Sequence, residues 1–357
     1  MSLSLNEYIW QHRSDASLQR VAPLLLGVAQ ACSQIASAVR NAALNHASGA
    51  AGTDNIQGEA QQKLDVISND IMVAATQELA RVLASEEVEQ VIAGNPTADL
   101  ALVFDPLDGS SNLDVNISVG TIFSILSAPQ GGSDEAVCLQ SGTRQLCAGY
   151  ALYGPATMLV ITTGMGVNGF TYQEETGLFV LTHPDLRIAP QAQEFAINAS
   201  NQRHWEQPIQ AYIADCLEGR DGVRERDFNM RWVASMVAEV HRILLRGGVF
   251  LYPADSRAKT RNGKLRLLYE ANPMAMLVEA AGGAASTGQM RLLAIEPTEL
   301  HQRVPVILGA KDEVALIEGY FNQGNSKYGL AADTSGGISM RQAHPPSHQT
   351  LFETIFN

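Results

Sequence analysis

The chain has 357 residues, 46% of them hydrophobic and 17% charged, enough for one large or two ordinary domains with a real core. Asp and Glu outnumber Lys and Arg by 37 to 24, a formal charge of −13. That balance argues against nonspecific nucleic-acid binding and against docking on an anionic membrane, but leaves an anionic substrate open, because local charge and bound cations decide that case.

No run of 18 apolar residues occurs, and the start, MSLSLNEYIWQHRSDAS, lacks a basic segment followed by an apolar one. Neither a membrane span nor a secretory signal is therefore expected, and the expected location is cytoplasmic. Cys32, Cys138, Cys147 and Cys216 lack metal-ligand spacing such as CxxC, and read as free thiols. The eight histidines include no HExxH pair. Any chemistry here is built from carboxylates.

In chain order, RVAPLLLGVAQACSQIASAVRNAALNHA (20–47) has helical spacing, with Pro23 tolerable only near its first turn. AQQKLDVISNDIMVAATQELARVL (60–83) predicts a second long helix, and ASEEVEQVI a strand or loop carrying Glu86 and Glu87. DLALVFDP (99–106) and SVGTIFSILSA predict buried strands, followed by a turn at GGSDEA. GYALYGPATMLVITTG and GFTYQEETGLFVLTHP predict consecutive strands. A boundary is expected near residue 186, where Pro and polar residues gather, which divides the chain into 1–185 and 186–323.

Beyond it, ASMVAEVHRILLRGG (234–248) and LLYEANPMAMLVEAAGG (267–283) predict helices ending on paired glycines. VFLYPA and VPVILGA predict strands, and KDEVALIEGYFNQ the last helix. The remainder, 324–357, is rich in Gly, Ser and Pro and is expected to be a mobile tail. Strands and helices mixed in both halves indicate a layered α/β class. No GxGxxG opens a helix after a strand and no GxxxxGK[ST] occurs, so nucleotide-binding loops of those kinds lose their support.

The informative stretch is VFDPLDGSSNLDVNISVGTIFSI (103–125). Asp105 and Asp108 stand where a buried strand ends, the edge at which α/β sheets place ligands. Taken alone they read equally as a turn, since Pro106 and Gly109 punctuate loops and Asp, Ser and Asn cap helices. Glu59, Asp65, Glu86, Glu87 and Glu270 also lie at element edges, and each alone reads as a solvated charge or a cap. If they converge, repulsion of about 4 kcal/mol per pair at ~4 Å requires protons or cations to neutralise them. Oxygen-only ligation selects a hard ion, Mg²⁺ or Mn²⁺, which polarises a phosphoryl oxygen and activates water. Gly109-Ser110-Ser111-Asn112 offers uncrowded amides and hydroxyls to a phosphate. Lys264 and Arg266, two apart in NGKLRLLYE, would share a side of an extended segment and, with Arg231, offer a second anion clamp; the plainer reading is a charged sheet edge.

Together, GEAQQKLDVISND, ASEE, FDPLDGSSNLDVNISVGTIFSI, AGYALYGPATMLV, SMVAEVHR, FLYPA, NGKLRLLYEANPMAMLVEAAGG and HQRVPVILGA resemble class 1 fructose-1,6-bisphosphatases, in family order over most of residues 19–322. The DPLDG core alone would point only to the wider sugar and inositol phosphatase group; the following SSN and the distant GKLRLLYE narrow it.

The resemblance implies a layered α/β/α/β/α fold and a homotetramer. It also implies Mg²⁺-dependent removal of the 1-phosphate of fructose 1,6-bisphosphate, giving fructose 6-phosphate. It implies that Glu86, Asp105, Asp108, Glu270 and the carbonyl of Leu107 are metal ligands. Asp65 and Glu87 would activate water, and Glu59 would sit on a loop that closes the site. Asp108, Gly109, Ser110 and Ser111 would receive the reacting phosphate, with Arg266 assisting. Asn198, Tyr252, Lys264 and a neighbouring subunit's Arg231 would hold the 6-phosphate, and Met236 would pack beside the sugar.

The chain departs from the family in places. Trp232 and Asn201 stand where relatives carry tyrosines. LQRVA (18–22) replaces a hydroxyl-bearing AMP-binding turn, and Asp99-Leu100 replaces a Lys-Tyr pair. Weak or absent AMP inhibition is therefore expected. The short segment holding Cys138 and Cys147 lacks the long insert of redox-regulated relatives, so equal activity of reduced and oxidised protein is expected. Two further enzyme readings are a bisphosphatase that also accepts sedoheptulose 1,7-bisphosphate and an inositol monophosphatase, which needs no distal clamp. A silent metabolite binder is the reading from a different class.

Overall fold

The computed structural model describes residues 3–42, 44, 50–54, 60–131 and 133–326. Helix α1 (Leu5–Gln11) opens on a capping box, in which Ser4 and Glu7 satisfy each other's backbone amides. Helix α2 (Ala16–Arg40) begins where Asp15 accepts from the amides of Ser17 and Leu18. It thus starts earlier than the expected 20–47, because Asp15 supplies the cap, and it ends at Arg40. Pro23 lies well inside it rather than in its first turn. The missing amide costs one helical hydrogen bond, outweighed by burial of Val21, Leu24, Leu25 and Val28 around it. α2 has the length and hydropathy of a membrane span, but 61% of its apolar window is buried against the rest of the chain.

The helix expected over 60–83 is instead three elements. After the short strands β1 (Ala50–Asp54) and β2 (Ala60–Gln62), α3 covers only Lys63–Thr76. Strand β3 (Val82–Ser85) follows a turn and lies between β4 (Ile92–Ala93) and β5 (Leu100–Asp108). Pairing in the sheet overrides the helix-favouring composition of 78–83.

Strands β6 (Val119–Ser127), β7 (Gln145–Tyr153), β8 (Thr157–Thr162), β9 (Asn168–Gln173) and β10 (Leu178–His183) complete an eight-stranded sheet in the order β10-β9-β8-β7-β6-β5-β3-β4. All its neighbours are antiparallel except β3 and β5. The expected turn at GGSDEA is in part a helix, α4 (Asp134–Cys138), because Ser133 caps it through the Ala136 amide.

The second sheet, ordered β12-β11-β13-β17-β15, is built from β11 (Glu194–Ala196), β12 (Asn229–Met230), β13 (Val249–Tyr252), β15 (Ala284–Ser286) and β17 (Val306–Gly309). β14 (Leu265–Arg266) pairs separately with β16 (Arg303–Val304). Helices α5 (Gln207–Glu218), α6 (Met236–Arg246), α7 (Asn272–Ala280) and α8 (Lys311–Ser326) complete the fold. The segment expected to open α7 at 267 forms a single π-helical turn, Leu267–Ala271, before Pro273 enters the regular helix. α8 runs to Ser326, three residues into the expected tail; residues 327–357 lie outside the described ones.

Five layers result. α2 and α3 cover one face of the large sheet, and α6 and α7 fill the space between the sheets. α5 and α8 cover the far face of the second sheet. Three apolar cores separate these layers, including one of Leu24, Leu64, Phe104 and Phe123, and another of Tyr150, Val240, Leu277 and Leu308. This is the α/β layering that the sequence pattern implies. All four cysteines are free and buried, and burial pushes the thiols of Cys138 and Cys147 up to about 12.

Candidate active site

On a regular strand, residues three apart face opposite sides. Asp105 and Asp108 reach one cavity because β5 carries a bulge between them. Asp105 pairs with Ile122 and Asp108 with Gly120, so three steps on β5 match two on β6. Leu107, inside the bulge, donates its amide to Asp105 Oδ1 at 2.9 Å.

The chain then turns at Gly109, in the left-handed region at φ 76°. A Cβ there would lie 2.7 Å from Ser235 Cβ, so only glycine lets the turn approach α6 so closely. The turn opens a 3₁₀ helix, Ser110–Val115, whose first residues, Ser110 and Ser111, line the cavity.

Two more elements aim at the same place. Glu86 follows the end of β3, where its amide bonds the Phe104 carbonyl at 3.0 Å. Glu270 lies in the π-helical turn, its Oε2 accepting the Arg266 amide at 2.6 Å. Asp65, in the first turn of α3, accepts from the Ser110 hydroxyl at 3.4 Å.

The resulting cavity, about 550 Å³, is lined by Asp65, Glu86, Glu87, Asp105, Leu107, Asp108 and Gly109, with Glu270 beside them. Asn198, Trp232, Met236, Tyr252, Lys264 and Arg266 complete the expected residues on its wall. Arg231 is exposed, outside that lining. Glu59 lies outside the described residues.

Lys264 and Arg266 stand two residues apart and serve different neighbours. The Lys264 ammonium lies 5.8 Å from the Tyr252 ring centre, whereas Arg266 Nη2 lies 2.5 Å from Glu86 Oε1. Trp232 stacks parallel to Phe250, with ring centres 6.2 Å apart, and tilts toward Tyr252.

Sequence reasoning missed Ser235, Ala234, Phe250 and Leu265, which also line the cavity. Ser235 and the Val237 amide donate to Asp108 Oδ2 at 2.8 and 2.9 Å, so the start of α6 fixes that carboxylate. The contact joins residues 127 apart in sequence and has no local signal.

Asp105, Asp108 and Glu270 are buried, and each offers an oxygen within 4.8 Å of the others. Burial, then Glu86, Asp108 and Glu270, hold the Asp105 carboxyl well above its ordinary range. Burial also raises Asp108, partly offset by its bonds to Val237 and Ser235. Burial pushes Glu270 to about 8, against the pull of Arg266. Such a set of hard oxygen donors suits a divalent cation with oxygen preference, which would relieve this repulsion.

Sequence models described as fructose-1-6-bisphosphatase, N-terminal domain and C-terminal domain match residues 4–184 and 188–322. The chain belongs to the fructose-1,6-bisphosphatase family. It is 57% identical over 323 residues to a class 1 fructose-1,6-bisphosphatase of Methylobacillus flagellatus, covering 89% of this chain and 97% of that one. The crystal structure of the Leishmania major fructose-1,6-bisphosphatase in holo form superposes with a TM-score of 0.84 at 38% identity, covering 90% and 99% of the two chains. In this fructose-1,6-bisphosphatase family member, the acidic and Gly-Ser motifs meet on a single cavity wall.

Proposed function

We propose that this chain hydrolyses the 1-phosphate of fructose 1,6-bisphosphate, with Mg²⁺ or Mn²⁺, to fructose 6-phosphate and phosphate. The observation that carries this reading is one cavity lined both by a buried oxygen-donor cluster with its Gly-Ser turn and by Lys264 and Tyr252. A bisphosphate needs both.

Glu86, Asp105, Asp108, Glu270 and the Leu107 carbonyl would hold the cation. A hard divalent ion supplies Lewis acidity there, polarising the phosphoryl oxygen and easing loss of a proton from water. Asp65 and Glu87 orient the attacking water and take its proton. Gly109, Ser110 and Ser111 receive the 1-phosphate beside Arg266. Asn198, Tyr252 and Lys264 hold the 6-phosphate, Trp232 borders it, and Met236 packs against the sugar. The exposed position of Arg231 supports its service to a neighbouring subunit of a homotetramer. The proposed location is cytoplasmic, and the proposed division is 1–185 and 186–326, the second part extending past the expected 323 to the end of α8.

Insensitivity to AMP belongs to the same reading. Arg20 donates to Asp99 Oδ2 at 2.9 and 3.1 Å and to the Ser127 hydroxyl at 2.8 Å. The cation on this part of α2 is already paired, and Asp99 adds a negative charge unfavourable to a nucleotide phosphate.

One assay tests these assignments: phosphate release from fructose 1,6-bisphosphate and sedoheptulose 1,7-bisphosphate, with and without Mg²⁺ and AMP. The expected result is Mg²⁺-dependent release from the fructose ester, unaffected by AMP. Half-inhibition at micromolar AMP would overturn the AMP reading, and no release with Mg²⁺ would overturn the activity.

A further inference from the structure

Val233 is held from two sides by side chains that the assignment above does not use. Its amide donates to Glu239 Oε1 at 2.5 Å, and its carbonyl accepts from Asn112 Nδ2 at 3.1 Å. These bonds fix both peptide planes flanking Val233. Asn112 belongs to the 3₁₀ helix that also carries Ser110 and Ser111. Glu239 lies in the first turn of α6, with its side chain fully buried.

The segment so held is irregular. Ala234, between the clamped residue and the helix cap, is in the left-handed region at φ 64°. That conformation is unfavourable for a residue with a Cβ and persists only where surrounding contacts impose it. Trp232 precedes Val233 and lines the cavity; Ser235 follows Ala234 and donates to Asp108.

A chain of charges, buried at Glu239 and largely buried at Arg242 and Glu194, extends the clamp outward to the exposed Arg246 and Arg231. Glu239 Oε2 accepts from Arg242 at 3.0 Å, and Arg242 donates to Glu194 at 2.6 Å. Glu194 also accepts from Arg246 at 2.6 Å and lies 3.6 Å from Arg231 Nε. Arg231, Trp232, Val233 and Ser235 are thus each tied to a partner outside their own loop or, for Trp232, stacked on Phe250.

We propose that Asn112 and Glu239 are positioning residues for the 231–235 loop. By clamping Val233 they couple the phosphate cradle and Asp108 to the side chains of Trp232 and Arg231. This inference rests on the reading that the 231–235 loop serves the phosphate farther from the acidic cluster. The clamp therefore governs selectivity for a bisphosphate over a monophosphate.

The test is steady-state kinetics with Mg²⁺ on fructose 1,6-bisphosphate and fructose 1-phosphate, for the parent, N112A, E239A, E239Q and the double alanine variant. N112A and E239A are each expected to raise KM for the bisphosphate about tenfold, with kcat held within about threefold, on the scale of a lost buried hydrogen bond. Their kcat/KM on fructose 1-phosphate is expected to stay close to the parent's. E239Q keeps an oxygen for the Val233 amide and should recover most of the lost KM. The double variant should be no worse than the weaker single one, because both act on one residue.

Equal losses on both substrates, additive losses, or an unchanged bisphosphate KM would each overturn the clamp. Because Glu239 also neutralises Arg242, E239A can fail to fold; N112A removes no charge and bears the same prediction alone. The parent tests the underlying reading separately. Equal KM for the two substrates would remove the distal-phosphate assignment, and this inference with it, whatever the variants do.

Discussion

Arg266 Nη2 lies 2.5 Å from Glu86 Oε1, and both side chains are more than nine-tenths buried. The guanidinium neutralises one of several carboxylates crowded into the acidic end of the cavity. Removing one partner of a buried pair strands the other charge, at a cost of about 3–5 kcal/mol. R266M is therefore expected to lower metal-free stability by about 3 kcal/mol. Saturating Mn²⁺ should narrow the gap, because a cation again faces Glu86. Urea unfolding of both proteins, with and without Mn²⁺, measures this. Equal metal-free stability would show that the pair contributes little.

Asp105 shows the opposite effect. Its carboxyl is held well above the ordinary range by burial and by Glu86, Asp108, Glu270 and Glu87. D105N keeps an oxygen for the Leu107 amide but removes an acid from that repulsion. Loss of Mg²⁺-dependent phosphate release should exceed the ~100-fold typical of outer-sphere partners of a metal. Metal-free stability should equal or exceed the parent's, the trade expected where a site stores unfavourable charge. A D105N protein that is both active and less stable would contradict both halves.

What the sequence discloses is mostly local. The apolar run 100–104, the Gly-Ser turn and the glycines ending α6 are written within a few residues, and they appear as expected. The bulge that turns Asp105 and Asp108 to one side depends on register with β6, which has no signature in DPLD itself. The split of 60–83 into helix and strand depends on β5 lying alongside β3. Asn112 and Val233 lie 121 positions apart, and nothing near either announces the bond. Pro23 misleads for the same reason: burial of the surrounding helix outweighs a local penalty.

Under the proposed function, Lys264 is the residue whose loss distinguishes a bisphosphatase from a monophosphatase. It is exposed at the cavity wall, 5.8 Å from the Tyr252 ring centre, where a second phosphate would meet it. A hydrogen bond to a charged group contributes about 1.5–3 kcal/mol, so K264A should raise KM for the bisphosphate about 10- to 100-fold. The change in kcat should be small, because the lost contact is made in ground and transition states alike. An unchanged KM would favour an enzyme of the inositol monophosphatase kind.

The Tyr150 hydroxyl lies 2.8 Å from His241 Nδ1, and burial, with a smaller contribution from His183, lowers the His241 pKa from 6.5 to about 4. Between those values the unfolded chain holds a proton on this imidazole that the folded chain does not. The resulting stabilisation is complete above pH about 6.5 and is lost as pH falls toward about 4, with a ceiling of about 3 kcal/mol for a shift of this size. H241Q retains an acceptor for Tyr150 but cannot take up that proton. Urea unfolding across pH 4 to 7 should therefore give a shallower fall for H241Q than for the parent. Parallel curves would mean that His241 does not contribute to the acid sensitivity of the fold.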